Sequence, residues 1–310
     1  MSHTTSSIIM VPPVDFCFNQ ETAQDNEFQQ KTDQPHYIVK ESALEEFTLM
    51  VNQLRDNHIE VLLLNKHHGD PEMPDAVFPN NWFCTRHNGE LDIFPMKTPN
   101  RRAEARPEGL KKLLTHNGYK ITEINQNQDS NSAFLEGTGA MIFDHRHTKT
   151  YAALSERCDA HLLTSYNQER GYETVSFNSS SSQGKPFYHT NVMMSVGEQF
   201  AVICLDSIKD PQQRATVEDH LKQDQKQIID ISLEQAEKHF CANLIQLRNL
   251  RNEPLIVLSE SAYHGFTKEQ RQQLAAHGKL IPCDIHTIES IGGGSARCMI
   301  AENFLPKQSF

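Results

Sequence analysis

The chain has 310 residues and a mass of 35.4 kDa, with 29 basic against 40 acidic residues and a net charge of −11. Apolar residues make up 37% of it, enough for a folded core, and the acidic balance argues against a nucleic-acid partner. No apolar run approaches the ~20 residues of a membrane-spanning helix. MSHTTSSIIMVPP lacks the basic start and long apolar stretch of a secretory signal, and seven scattered cysteines include no CxxC pair. A cytoplasmic chain with reduced thiols and no membrane partner is expected.

In chain order, an apolar first strand is followed by the polar stretch 19–36, NQETAQDNEFQQKTDQPH, either plain surface or a mobile flap over a site. A helix over 41–57 leads into the strand IEVLLLN. AVFPNNWFCT and LDIFPM flank the turn His87-Asn88-Gly89 and read as a β-hairpin. A helix over 106–117 precedes GYKITEIN. GAMIFD and TYAALS form a second hairpin around 145–149, with a helix over 158–170 and the strand GYETVSFN after it. SSSSQG at 179–184 reads as a flexible loop. NVMMSV and QFAVICL flank Gly197-Glu198 as a third hairpin, followed by a helix over 211–226 and QIIDIS. A helix over 267–277 and GKLIPCDI come last. Gly118, Gly171 and Gly278 fall where a left-handed residue would end a helix.

The helix-to-strand junctions recur every ~50 to 60 residues. The unit is strand, strand, helix, strand, used about five times in one domain over 1–310, since no composition break divides the chain. Such repetition favours a closed, pseudo-symmetric α/β arrangement in which neighbouring units cover each other's apolar faces.

Four residues stand out chemically. Cys298 follows three glycines in IGGGSARCMIAENF, a turn that lets backbone approach a ligand and leaves amide donors free. A lone cysteine is ordinarily a small core hydrophobe. His189 in FYHTNVMM opens an apolar strand, which is usual for a surface histidine and also suits a general acid/base. Glu136 in FLEGTGAMIFD could hold an imidazole in one tautomer. Each of these opens a strand of a different unit, and equivalent strand ends of a closed repeat converge near its axis. Arg157 in ALSERCD has the planar fork to bind a carboxylate, or pairs on the surface with Glu156 or Asp159. Asp144-His145-Arg146-His147 and His67-His68-Gly69-Asp70 lie in turns, without the spacing of a metal site.

Together DAVFPNNWFCT, LEGTGAMIFD, LSERC, HTNVMM and GGGSARCM, in this order, resemble the guanidine-modifying enzyme superfamily of arginine deiminases, dimethylarginine dimethylaminohydrolases and amidinotransferases. The similarity is greatest to its bacterial citrulline-utilisation hydrolase branch. The resemblance implies the pentein fold, a five-bladed α/β propeller of ββαβ units, and a cysteine-dependent hydrolase of C–N bonds that needs no cofactor or metal. By motif, Cys298 matches the nucleophile, His189 the general acid/base and Glu136 the acid that orients it. Arg157 matches the receiver of a substrate α-carboxylate, and Asp75 and Phe78 belong to the DxVF segment. The turn Gly292, Gly293 and Gly294 is expected to donate amides to an oxyanion.

Arginine deiminases grip the guanidinium with two carboxylates where this chain has Asn81 and Asn191, and carry Asp where it has Gly139. An amide suits a neutral ureido group better than a cation. The expected substrate is therefore a small amino acid, citrulline, converted to ornithine. The alternatives are an arginine deiminase using Asp75 or Asp15 as its carboxylate, a dimethylarginine dimethylaminohydrolase, an amidinotransferase, or a non-catalytic pentein-like scaffold.

Overall fold

The computed structural model describes residues 2–126 and 132–308. Five separate three-stranded sheets follow one another, each with the same wiring. A first strand pairs antiparallel with the second, a helix crosses over, and a third strand returns parallel to the second.

The second unit runs Phe83–Thr85, Glu90–Ile93, helix Pro107–His116 and Glu123–Gln126. The third runs Ile142–Asp144, Lys149–Ala153, helix Ala160–Arg170 and Glu173–Phe177. The fourth uses Met194–Val196, Phe200–Ile203, helix Pro211–Gln223 and Gln227–Asp230. In the fifth, the hairpin Ile245–Arg248 and Pro254–Ser259 precedes helix Lys268–Ala275 and Lys279–Cys283. The first unit is split. Ser7–Met10, helix His36–Asp56 and Glu60–Leu63 belong to it, but its remaining strand, Ala301–Glu302, comes from the far end of the chain and pairs Ala301 with Ile9. Both chain ends are thereby held in one sheet.

Local chemistry sets these boundaries. The Asp159 and Asp210 carboxylates accept the first free N–H groups of their helices, and Thr267 forms a capping box with Gln270. Leu110 and Leu114, four apart, form the buried stripe of helix Pro107–His116. Gly118 and Gly171 adopt the expected left-handed conformation, at φ +79° and +71°. Gly278 does not. A Cβ there would meet the Pro254 carbonyl oxygen at 3.0 Å, so close approach to the neighbouring strand, rather than a helix cap, accounts for it. The 179–184 segment is a pinned turn rather than a flexible loop. Ser181 N–H bonds the Lys185 carbonyl at 2.8 Å, and Ser182 Oγ donates to Glu237 at 2.7 Å.

The first strands of the units face the centre. Ile142–Asp144 lies beside Met194–Val196, which lies beside Ile245–Arg248, while Ala301–Glu302 lies beside Phe83–Thr85. The segments entering these inner strands gather at one end of the ring. Among the described residues, no helix is long and apolar enough to cross a membrane.

Candidate active site

Every unit places polar residues just ahead of its inner strand: Asn81, Glu136, His189 with Asn191, Asn243, and Cys298. All the sequence-predicted residues except Glu136 and Asn191 line one small cavity, joined there by Thr22, Asn26, Arg101 and Tyr188. Glu136 and Asn191 stand directly behind it, touching His189 and Cys298 respectively.

Glu136 is fully buried. Its Oε2 lies 2.8 Å from His189 Nε2 and 3.4 Å from Arg157 Nη1, and its Oε1 accepts the Lys97 backbone N–H at 2.9 Å. Burial alone would push this carboxyl up. The Arg157 charge and the His189 contact outweigh it and hold Glu136 well below the usual range. Burial lowers His189, although Glu136 opposes the shift. Both shifts favour an ionised carboxylate beside a neutral imidazole. Asn81 Nδ2 rests against the ring, 3.2 Å from Nδ1 and 3.1 Å from Nε2. Gly139 is what lets them meet, because a Cβ there would lie 2.9 Å from both Asn81 Nδ2 and His189 Nδ1.

Cys298 Sγ is approached by two side-chain amides, Asn191 Nδ2 at 3.4 Å and Asn243 Nδ2 at 3.3 Å. Burial pushes the thiol up, and a hydrogen bond from the Ser295 backbone, the Asn243 amide, the Arg297 charge and the Asn191 amide offset part of that. Asn243 escaped the sequence reading, since FCANLIQL contains no distinctive motif. The signal that could have found it is positional: the fifth unit had no polar residue assigned ahead of its inner strand, where every other unit had one.

The 19–36 segment covers the cavity rather than lying as plain surface. Asn19 Nδ2 and Thr22 Oγ1 donate to Asp75 at 2.7 and 3.0 Å, Asn26 Nδ2 donates to the Gly293 carbonyl at 3.2 Å, and Gln30 N–H bonds the Ser290 carbonyl at 2.8 Å. Asp25 takes the Arg157 fork, Nε at 3.0 Å and Nη2 on the other oxygen. The arginine expected to wait for a substrate carboxylate is therefore occupied by one from the chain itself. Asp15, a suggested guanidinium ligand, instead holds Lys66 Nζ at 2.6 Å and the Met73 N–H at 3.1 Å. The cavity has a water-accessible volume of about 10 Å³, about enough for one water molecule. Asp75 Oδ1, in the cavity lining, and Asn191 Oδ1, behind it, are buried without a partner.

Within the glycine turn one of the amides expected to face an oxyanion is already engaged. Gly293 N–H is bonded to the Glu289 carbonyl at 3.0 Å, and its own carbonyl accepts Tyr188 Oη at 2.7 Å. A Cβ on Gly292 or Gly294 would meet the Phe78 ring at 2.8 or 3.0 Å, so these residues make room for the aromatic ring under the cavity. Elsewhere, Asp144, His147 and Asp224 bring three metal-capable atoms together, but Lys226 and Lys149 ammonium groups already sit on the carboxylates at 2.7 and 2.8 Å.

Five ββαβ sheets around a centre, with Cys298, His189 and Glu136 gathered at one end, define a chain of the pentein guanidino-modifying superfamily. The sequence model of eukaryotic N,N dimethylarginine dimethylhydrolase matches residues 12–305, and the chain belongs to this family. No curated protein matches it in sequence. Among solved structures it is similar to the apo arginine dihydrolase ArgZ of the cyanobacterial ornithine–ammonia cycle, with 18% identity, TM-score 0.72, and coverage of 95% of this chain and 40% of ArgZ. The chain thus spans well under half of that enzyme's length. The N-terminal domain of ArgZ, as a cysteine-to-serine variant bound to substrate, gives 18% identity and TM-score 0.71, covering 96% of this chain and 99% of the domain. A dimethylarginine dimethylaminohydrolase carrying an S-methyl-L-thiocitrulline adduct gives 15% identity and TM-score 0.66, covering 96% and 99%.

Proposed function

We propose that the chain is a thiol-dependent hydrolase of a C–N bond in a ureido or guanidino amino acid, with citrulline to ornithine as the favoured reaction. The observation that carries this is the reacting end of the cavity. His189 and Cys298 are flanked there by the amides of Asn81 and Asn191. A guanidinium between these amides would have to find its counter-charge in Asp75, whose Oδ2 already accepts from Asn19 and Thr22, and a buried cation left without one costs several kcal/mol. A neutral ureide needs both a donor and an acceptor beside it, and a side-chain amide such as that of Asn81, in the cavity lining, carries both.

In this reading the Cys298 thiol gives its proton to His189 and adds as thiolate to the ureido carbon; the imidazolium, steadied by Glu136, then passes that proton to the δ-amine as its C–N bond breaks. The S-carbamoyl intermediate is hydrolysed by a water whose proton passes to His189. The carbamate then breaks down, so citrulline and one water give ornithine, ammonia and carbon dioxide. No step needs a metal or organic cofactor. Likeness to an arginine dihydrolase supports arginine as a second substrate, reaching ornithine through two successive hydrolyses.

The test is a product assay on citrulline, arginine, methylarginines and agmatine, scoring ornithine and ammonia. Cys298→Ser and His189→Ala should lose nearly all turnover while binding substrate. Turnover of Cys298→Ser within tenfold of the parent would remove the thiol from its role. Arginine preferred over citrulline by tenfold or more would replace the ureide reading with the guanidino one. An intact protein with no turnover and no labelling by a thiol-directed substrate analogue would favour a scaffold.

A further inference from the structure

We propose that Asn243 is a catalytic residue, whose side-chain amide donates to the Cys298 sulfur and forms with Asn191 a two-donor cradle for the nucleophile. This rests on the hydrolase reading above and adds a residue that no motif supplied.

The orientation of the Asn243 amide is fixed from both ends. Its Oδ1 is 3.0 Å from the Arg297 backbone nitrogen and 3.4 Å from that of Cys298, and backbone N–H groups can only donate. The oxygen must therefore face them. Its Nδ2 lies 2.9 Å from the Asn191 carbonyl oxygen, which can only accept. With the amide set in this way, Nδ2 also points at Cys298 Sγ, 3.3 Å away. The side chain is fully buried, so no water competes for the sulfur from that side. The loop that presents it is tight. Phe240 ends the preceding helix in the left-handed conformation, the Asn243 N–H returns to the Phe240 carbonyl at 2.8 Å, and strand Ile245–Arg248 starts two residues later.

A buried thiolate needs stabilisation, because burial favours the neutral thiol. Of the charged groups around it, Arg297 favours the thiolate without touching the sulfur, and the others are engaged elsewhere. Arg297 is turned to Glu302 at 2.9 Å, the His189 imidazole is held by Glu136, Arg157 by Asp25, and the Tyr188 hydroxyl donates to the Gly293 carbonyl. The donors in direct contact with the sulfur are two neutral amides, where a cation more usually accompanies a reactive cysteine. In the thiol form the same residue can accept, since Sγ lies 3.6 Å from Oδ1. One amide thus meets both protonation states.

The experiment follows carbamidomethylation of Cys298 by iodoacetamide against pH, read by mass spectrometry. In this reaction an S–C bond forms, iodide leaves and the thiol proton goes to solvent. It requires no substrate, so it is independent of which C–N bond the protein hydrolyses. Asn243→Ala should raise the midpoint by about one pH unit and slow alkylation at pH 8 about tenfold. Asn243→Asp is the discriminating variant. It keeps the acceptor for the Arg297 and Cys298 N–H groups but replaces the donor with a negative charge, so the midpoint should rise at least as far as in the alanine variant. A parental midpoint in Asn243→Asp would make the residue a mere brace for the loop and overturn the proposal. Should neither variant fold, the ¹⁵N-labelled parent serves: the side-chain NH₂ signals of Asn243 should shift with titration of Cys298. Signals that do not shift would overturn the proposal equally.

Discussion

The Asp25 carboxylate lies across the Arg157 guanidinium, and this pair joins the 19–36 segment to the candidate catalytic centre. On its other side Arg157 touches Glu136, while Asp25 is also held by Lys97 Nζ at 2.8 Å. Arg157 and Lys97 overcome the effect of burial and keep Asp25 below the usual carboxylate range, so the contact persists from weakly acidic to alkaline pH. An incoming α-carboxylate must displace it. Asp25→Ala should then lower KM for citrulline by roughly tenfold, the scale of one charge-assisted hydrogen bond. KM for the analogue lacking the α-carboxylate should not move with it. Equal changes for both compounds would mean that Asp25 and the substrate carboxylate do not compete.

The covering segment has a second consequence. A cavity with room for about one water molecule admits an amino acid only when 19–36 moves. Limited proteolysis within 19–36 should be slowed by bound ligand, because closure re-forms the bonds from Asn26 and Gln30 to the 290–293 turn. Equal cutting with and without ligand would make it an ordinary covering loop.

Asn81→Asp places a carboxylate against the His189 ring and the reacting end of the cavity. It would raise the imidazole and accept N–H groups of a guanidinium, a gain of about 1.5–3 kcal/mol for arginine over citrulline. The ratio of their affinities, compared with the parent, measures this. The companion change at Asn191 is less informative, because a carboxylate 3.4 Å from Cys298 Sγ would also disfavour the thiolate.

Gly139→Ala tests how closely the site is packed. The added methyl would stand 2.9 Å from Asn81 Nδ2 and His189 Nδ1, pushing the imidazole from Glu136. A displacement on the order of 1 Å can cost about 100-fold in rate, so kcat should fall by this order with the circular dichroism spectrum unchanged. Unchanged kcat would mean that the imidazole has room to shift without loss.

Asp92 offers a stability test away from the cavity. It is fully buried and holds Arg170 Nη2 at 2.8 Å, Tyr166 Oη at 2.8 Å and Asn125 Nδ2 at 3.0 Å. Asp92→Asn leaves Arg170 only the exposed Glu169, 2.9 Å from Nη1, as counter-charge and should lower unfolding free energy by up to about 3 kcal/mol in urea titration. Burial is outweighed by Arg170 and the other donors, so the native carboxyl is held low. The contribution is present above the ordinary carboxylate pKa and is lost as pH falls through the depressed native value, so parent and variant should converge in acid. A constant difference down to pH 2 would point to packing rather than charge.

Much of the fold is written locally in the chain. Apolar runs of strand length, Asp159, Asp210 and Thr267 ahead of their helices, and Gly118 and Gly171 behind theirs set element type and order within one repeating unit. Cys298, His189 and Glu136 were legible because each precedes an inner strand in a recognisable motif. Asn243 was not, since its role depends on the sulfur of a residue 55 positions away and on amide orientation set by the Arg297 backbone. Nor could local pattern reveal that Ala301–Glu302 completes the first sheet, that Gly278 serves a strand contact, or that Asp25 reaches Arg157 across 132 residues. Hydrogen-bonding preference and apolar periodicity act over a few residues and so are readable in sequence. Which carboxylate meets which arginine is decided only when packing of the units around one centre brings distant segments into a space too small to leave either charge alone.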